Sequence, residues 1–530
     1  MPLSEMEARL AISFLPQTTG IVSWSGELFY HTLTSLLVGV FTPTSMLIRL
    51  IPALAGLLLI LLPLFFRNYL GDRNAILCSI FLAIDPALVY LSRTAGGILL
   101  SLVFGVFTLL MVLKGKPRAA GALAGLSLIS SSTFWLVLLP LAGAAFLTRW
   151  VTKKQEETER VIFPVFTLRS FWVSGLIAIL LGSTAFLTQP QGTGLILSII
   201  RSFLSIWTHS GGLPLKIIGF GVLFYYLPIL IAGIWGAVRG LLEGSRQAWF
   251  LLTWFIFGLI LVILLPGRQL PDIWIATIPM DILAAKELSR HLHPDVDEKL
   301  PILGVTVLVS AICIFSFFSI ARLAYSTDIK QLWLAVSGAV VILILSAILI
   351  ILGWSQRIAF RGYFWGLLFL FALSAFSTAW RVTGNATNEM VEMMGPSISY
   401  PQLELLHQTI TDTDKQNMLS NEKVDIDIMG ISSDALSWEL REFTNIQHVN
   451  SIPRGVSTDI VISSPDLAVS LADAYRGQDF ILGSTIDWER FNLIDWITWM
   501  VRRRVITNET KVIMWVRGDL FPGGINPATP

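Results

Sequence analysis

From Met46 to Ala379 the chain alternates long apolar runs with short polar loops. A bilayer core takes about 20 apolar residues in helical form. Runs of that order fall at Met46–Phe66, Ala75–Leu91, Ile98–Leu113, Ala119–Ser130, Phe134–Leu147, Phe171–Leu187, Leu215–Val238, Trp249–Pro266, Ile273–Ala285, Ile302–Ile320, Leu332–Leu352 and Tyr363–Ala379. About twelve spans are therefore expected, with tolerance for shorter ones that neighbours shield. Ala119–Ser130 and Phe134–Leu147, divided by the polar "SSST", and the Pro-interrupted Ile273–Ala285 have an alternative reading, each as half of a longer or re-entrant element. Leu28–Phe41 is shorter, about 14 residues with His31 inside it, and reads as a helix lying at the interface.

Beyond Arg381 the pattern changes: charges become frequent and no run is long enough to span. "VDIDIMG" (Val424–Gly430), "TDIVISS" (Thr458–Ser464), "FILGSTI" (Phe480–Ile486) and "KVIMWVR" (Lys511–Arg517) read as strands. Tyr400–Met418, Ser433–Phe443, Ser464–Tyr475 and Asp487–Arg503 read as the helices between them. This alternation predicts a small α/β domain. The expected fold is an α-helical polytopic membrane bundle followed by a small extracytoplasmic α/β domain: 1–45 as an outer-face loop and interfacial helix, 46–380 as the bundle and 381–530 as the domain.

Charge sets the orientation, because Lys and Arg are retained on the cytoplasmic side. One set of alternate loops carries Arg67 and Arg73, Lys114 to Arg118, Arg149 to Arg160, Arg239 and Arg246, Lys286 to Lys299, and Arg357 and Arg361; the other holds only Arg93, Arg201, Arg268, Arg322 and Lys330. The first set is read as cytoplasmic, so the N-terminal stretch and everything after Arg381 are expected outside the cell membrane. Composition agrees: 54% of residues are hydrophobic, 14% are charged and the formal net charge is +1, which excludes the concentrated basic footprint of a nucleic-acid partner. Cys78 and Cys313 lie in apolar runs and read as small buried hydrophobes. No metal or cofactor is expected.

Two outer segments carry candidate chemistry. "PLSEMEARLA" brings Glu5, Glu7 and Arg9 to the membrane surface, and "AIDPALVYLSRTAGGILL" brings Asp85 and Arg93. A carboxylate at helix-centre depth costs roughly 2.5–3.5 kcal/mol on insertion scales, which places Asp85 at the bundle interior or the outer mouth. Arg93 lies at the surface, where a guanidinium can grip phosphate oxygens in a forked geometry; with Arg268 on the same side it suits the anion clamp that the resemblance described below implies, helix anchoring at headgroups being the alternative. Asp272 and Asp281 read as capping or packing residues, and "RRR" (Arg502–Arg504) as a solvated helix end. "NAT" at Asn385 and "NET" at Asn508 match the glycosylation acceptor pattern.

The order of acidic loop, short helix and "IRLIPALAGLLLILLPLFFRNYLGDRNAILCSIFLAIDPALVYLSRTAGG" resembles the polytopic C-type glycosyltransferases of the protein O-mannosyltransferase and aminoarabinose-transferase kind. "RQLPDIWIATIPMDILAAKELSRHL" and "LSWELREF" add to the likeness. The resemblance implies transfer of a sugar from a polyprenyl-phosphate carrier to an acceptor on the outer face, with membrane lipids and that donor as partners. It also implies an Asp-Glu pair in the first outer loop and a Ser-Arg followed by Asp. Glu7 matches the Glu of the pair and Arg93 the arginine, whereas Met6 and Gly96 or Gly97 stand where the two Asp residues would be. A thioether is no useful base and glycine has no side chain. Two readings follow: Glu5 or Glu7 serves as catalytic base, or catalysis is lost and the outer domain binds a partner instead. Relative to the family pattern the first transmembrane helix is absent, and the chain begins where the second segment would.

Overall fold

The structure, a computed structural model, describes residues 2–15, 26–151, 168–188, 192, 194–208, 210–291, 299–323, 329–381, 392–417, 424–450, 457–467, 471, 474–503, 505 and 507–520. It divides into two discontinuous compact units. One takes in Ser23–Gly395 and Phe491–Arg504, the other Met1–Val22, Pro396–Arg490 and Val505–Pro530, whereas the reading from the sequence drew its boundaries at 45/46 and 380/381.

The first unit is a helical bundle, and every apolar run read from the sequence is helical in it. Among the described residues, seven helices are long and apolar enough to cross a bilayer, eight when one bent pair is taken as a single span. About twelve spans were expected; several of the remaining runs form apolar helices of 10–17 residues. Ile98–Leu113, Pro117–Ser130 and Arg169–Ser183 are helices of 16, 14 and 15 residues, too short alone for a bilayer core of about 30 Å at 1.5 Å per residue. The helix Trp333–Gly353 keeps only 6% of its apolar window buried inside the protein, so most of its side chains face outward from the bundle. By contrast, Pro117–Ser130 and Arg169–Ser183 pack backbone to backbone: a Cβ on Gly125 would lie 2.5 Å from the Gly175 carbonyl oxygen. Small residues permit such an approach between apolar helices.

The run Ala75–Leu91 is broken rather than continuous. Asp72–Ile84 and Pro86–Arg93 meet at 60°, because Pro86 lacks the N–H that would continue the helix. The Asp85 carboxylate accepts from the Leu88 amide and starts the second piece. The first half of the helix Leu28–Val38 is buried against the bundle. Tyr30 donates to the Ile48 carbonyl at 2.8 Å and Thr32 to the Gly182 carbonyl at 2.8 Å. Those polar tips find backbone acceptors inside the protein, which offsets the cost of removing them from water.

Arg503 is likewise not a solvated helix end. It stands at the left-handed C-cap of Leu493–Arg502, is 5% exposed and pairs with the equally buried Glu392 at 2.9 Å. Its guanidinium lies over the rings of Phe224 and Trp499, 4.6 and 4.4 Å from their centroids. Tyr225 donates to the other Glu392 oxygen at 2.6 Å. Arg504 lies outside the described residues, as does Asn385, whereas Asn508 is exposed at the start of a strand.

The second unit contains a six-stranded mixed sheet in the order β1 (Ile398–Ser399), β5 (Tyr475–Thr485), β6 (Asn508–Arg517), β4 (Ile460–Ser463), β2 (Ile426–Met429), β3 (Ile446–Val449). Strands β3 and β4 flank β2 in parallel; β6 runs antiparallel to β4 and β5. Ile426, Ile428, Ile460, Ile462, Met514 and Val516 fill its core. Four of these strands were anticipated; β1 and β3 were not. The helix expected over Ser464–Tyr475 is absent among the described residues, where a turn follows β4 and β5 starts at Tyr475.

Candidate functional site

The bundle holds a carboxylate that the sequence reading passed over. Glu27 precedes the helix Leu28–Val38 but does not cap it. Its side chain accepts instead from the Gly97 amide and the Ser131 hydroxyl. A serine run encloses this point, with Ser130, Ser131 and Ser132 all buried. Glycines make the room. Gly26 has φ +74° and a Cβ there would fall 2.7 Å from the Ser202 side chain; a Cβ on Gly97 would overlap the Ser130 carbonyl oxygen; one on Gly96 would lie 3.4 Å from a Glu27 carboxylate oxygen. Only a backbone without side chains lets a carboxylate seat against this turn. Gly97→Ala is therefore expected to cost about 1–3 kcal/mol by overpacking, read as a lower thermal midpoint in detergent.

Surrounding protein removes water from the Glu27 carboxylate and raises its pKa to about 7, outweighing the Gly97 and Ser131 hydrogen bonds that favour the charged form. His31, four residues on, is driven down to about 4 by burial, so it is neutral and supplies no compensating cation. A carboxylate that titrates near neutrality is suited to take and return a proton. Arg93 ends the helix Pro86–Arg93, exposed, three residues before Gly96; the turn that seats Glu27 thus follows directly from a cation.

The other residues singled out from the sequence hold local structure. Glu5 lies in the sheet-containing unit, where it binds the start of the helix Asp434–Glu439: its carboxylate accepts from Ser433 Oγ at 2.6 Å, Tyr400 Oη at 2.7 Å and the Asp434 and Ala435 amides at 2.7 and 3.3 Å. Partial burial raises its pKa, but these four donors together hold it below the usual carboxylate value. Glu7 closes a capping box with Ser4 at the start of its own helix, and Met6 between them is 83% exposed. Glu5→Ala is expected to destabilise the chain by about 1–2 kcal/mol at neutral pH. Because the folded pKa is depressed, that contribution is present above about 4.5 and fades as pH falls below it; thermal melts across the acid range check both.

Arg268 holds backbone: its Nε donates to the Leu213 carbonyl at 2.9 Å and its Nη1 to the Leu265 carbonyl at 3.0 Å, closing the end of the helix Arg246–Leu264. Asp272 caps a short turn by accepting from the Gln269 amide at 2.8 Å; burial raises its pKa to about 6. Asp85 is fully enclosed in the bundle, accepting from Tyr226 at 2.9 Å and Thr277 at 3.2 Å in addition to Leu88. Glu27 did have a sequence signal: it is the only Asp, Glu, Lys or Arg between Arg9 and Arg49.

No family model and no curated protein matches the chain. Among solved structures, ArnT from Cupriavidus metallidurans in the apo state superposes with a TM-score of 0.50 at 15% identity, covering 97% of this chain and 94% of that one. The same protein bound to undecaprenyl phosphate gives 0.49 at 14% identity, covering 97% of each. An Archaeoglobus fulgidus oligosaccharyltransferase in the apo form gives 0.41 at 14%, covering 87% and 65%. The chain thus shares the fold of apo ArnT. That likeness runs nearly end to end along both chains.

Proposed function

We propose that this chain is a membrane glycosyltransferase that moves a sugar from a polyprenyl-phosphate carrier to an acceptor on the non-cytoplasmic face, with Glu27 as its base. The observation that carries the reading is the seating of Glu27 against the Gly96–Gly97 turn. The resemblance asks for an aspartate at that turn; here a glutamate from another segment brings its carboxylate to the same place. Glu27 takes the proton from the acceptor's hydroxyl or amine as its lone pair attacks the anomeric carbon. The bond from that carbon to the phosphate oxygen breaks, and the electron pair leaves with the lipid phosphate. Arg93 offsets the charge gathering on the departing group.

The lipid class is taken from ArnT, which binds undecaprenyl phosphate, and the sidedness from the Lys and Arg loops. Glu5, Glu7, Arg268 and Asp85 enter as positioning residues, since each spends its polar atoms on backbone or neighbouring side chains. The test is release of lipid phosphate and transfer of label from a panel of radiolabelled polyprenyl-phosphate sugars by the full chain in nanodiscs. Turnover that Arg93→Ala weakens supports the reading. A well-folded preparation that turns over none of the panel supports the non-catalytic, partner-binding alternative.

A further inference from the structure

A groove opens in the bundle away from the Glu27 turn. It lies where Gln356–Trp380 passes Asp72–Ile84, Leu215–Leu242 and Trp274–His291, and it leaves about 250 Å³ unfilled. Every residue that lines it is apolar: Phe81, Ala232 and Leu288 on those three helices stand across from Phe364, Leu368 and Phe371 on Gln356–Trp380. The last three recur every three to four positions, so they share one helix face. Arg357, exposed, continues that face two turns before Phe364, about 10 Å along the axis. Half-buried Arg361 flanks it one turn before Phe364.

The segment that carries these arginines is one-sided in charge: between Asp328 and Glu389 the chain has no Asp or Glu. On the helices across the groove, by contrast, Arg239 pairs with Glu287 at 2.7 Å and Arg290 with Glu243 at 2.6 Å. Trp354, 65% exposed, lies three residues before Arg357 and marks the headgroup level, where Trp is enriched. We propose that the groove holds an acyl chain of an anionic phospholipid from the leaflet that the Lys- and Arg-rich loops face, with its phosphate on Arg357 and Arg361. Cations followed by an apolar face match such a lipid from headgroup to tail. Basic pockets between spans on the cytoplasmic side are where anionic headgroups bind. A guanidinium carries five N–H donors, so each arginine can take a phosphate oxygen beside any bond it already makes. The lipid would brace the last span against the broken one.

The test titrates the full chain in detergent with phosphatidylglycerol or with phosphatidylcholine of the same chains, and counts retained lipid by native mass spectrometry. Wild type should retain phosphatidylglycerol in preference. Arg357→Gln/Arg361→Gln should cut that preference about 5- to 30-fold and still retain phosphatidylcholine, which shows that the groove and the fold survive. Lys114→Gln/Lys116→Gln, on another basic loop, should leave it unchanged. Ala232→Phe, which fills the groove, should lose one bound phosphatidylglycerol while melting like wild type in lipid-free detergent. No preference in wild type, a preference that survives Arg357→Gln/Arg361→Gln, or an equal fall in Lys114→Gln/Lys116→Gln overturns the proposal. So does displacement of the bound lipid by an equimolar amount of undecaprenyl phosphate, which would give the groove to the sugar carrier's chain.

Discussion

Glu27→Gln is expected to lower sugar transfer by about 100- to 10,000-fold, the range for a general base, while leaving donor binding nearly intact. The reason is electrostatic. Burial disfavours the carboxylate and raises its pKa to about 7, which makes it a stronger base than a solvated glutamate yet still half ionised at neutrality. Wild-type kcat/KM should therefore rise with pH through a limb centred near 7, and the limb should vanish in the glutamine variant. Stability carries the opposite sign. Between the ordinary value of 4.5 and about 7 the folded chain binds more protons than the unfolded one, so stability falls as pH rises through that window. Glu27→Gln should flatten the fall and, above pH 7, leave the protein more stable by on the order of 2 kcal/mol, discounted for partial solvent access. A residue that merely held the turn together would destabilise when changed, with no effect on the pH limb.

The second large effect concerns the clip between Glu392 and Arg503. Glu392→Ala is expected to destabilise the bundle by about 3–5 kcal/mol, because it strands a buried guanidinium and removes the acceptor of the Tyr225 hydroxyl. The loss should appear as a lower Tm and as altered emission from Trp496 and Trp499, whose rings lie 6.1 Å apart beside the clip. The double change Glu392→Leu/Arg503→Met should recover much of the loss, since replacing both partners of a buried pair by apolar groups is often neutral. Arg503→Lys should not, because an ammonium cannot keep the flat stacking over Phe224 and Trp499.

Apolar runs are legible because lipid imposes them, and each of those read from the sequence became helical. What they do not carry is where a run bends. The break at Asp85–Pro86 was written in the dipeptide, yet the hydrophobic count on either side concealed it. Strand β3, "IQHV", was missed because a half-exposed edge strand carries polar residues where a central one would be apolar. The acids near the start of the chain drew attention by their number, although "SEME" is equally the mark of a helix start, and Glu5 and Glu7 both spend their oxygens on helix starts. Glu27 stood alone between two arginines. Its role depends on glycines some 70 residues later, and no local pattern encodes that proximity.

The central claim is that the donor lipid's phosphate meets the turn that seats Glu27. A photoactivatable polyprenyl-phosphate analogue, cross-linked to the full chain in nanodiscs and mapped by mass spectrometry, tests it most directly. The account predicts label on peptides spanning 93–97 or 130–133, competed away by undecaprenyl phosphate and weakened by Arg93→Ala. Competable label confined to other segments, with none at that turn, would contradict it.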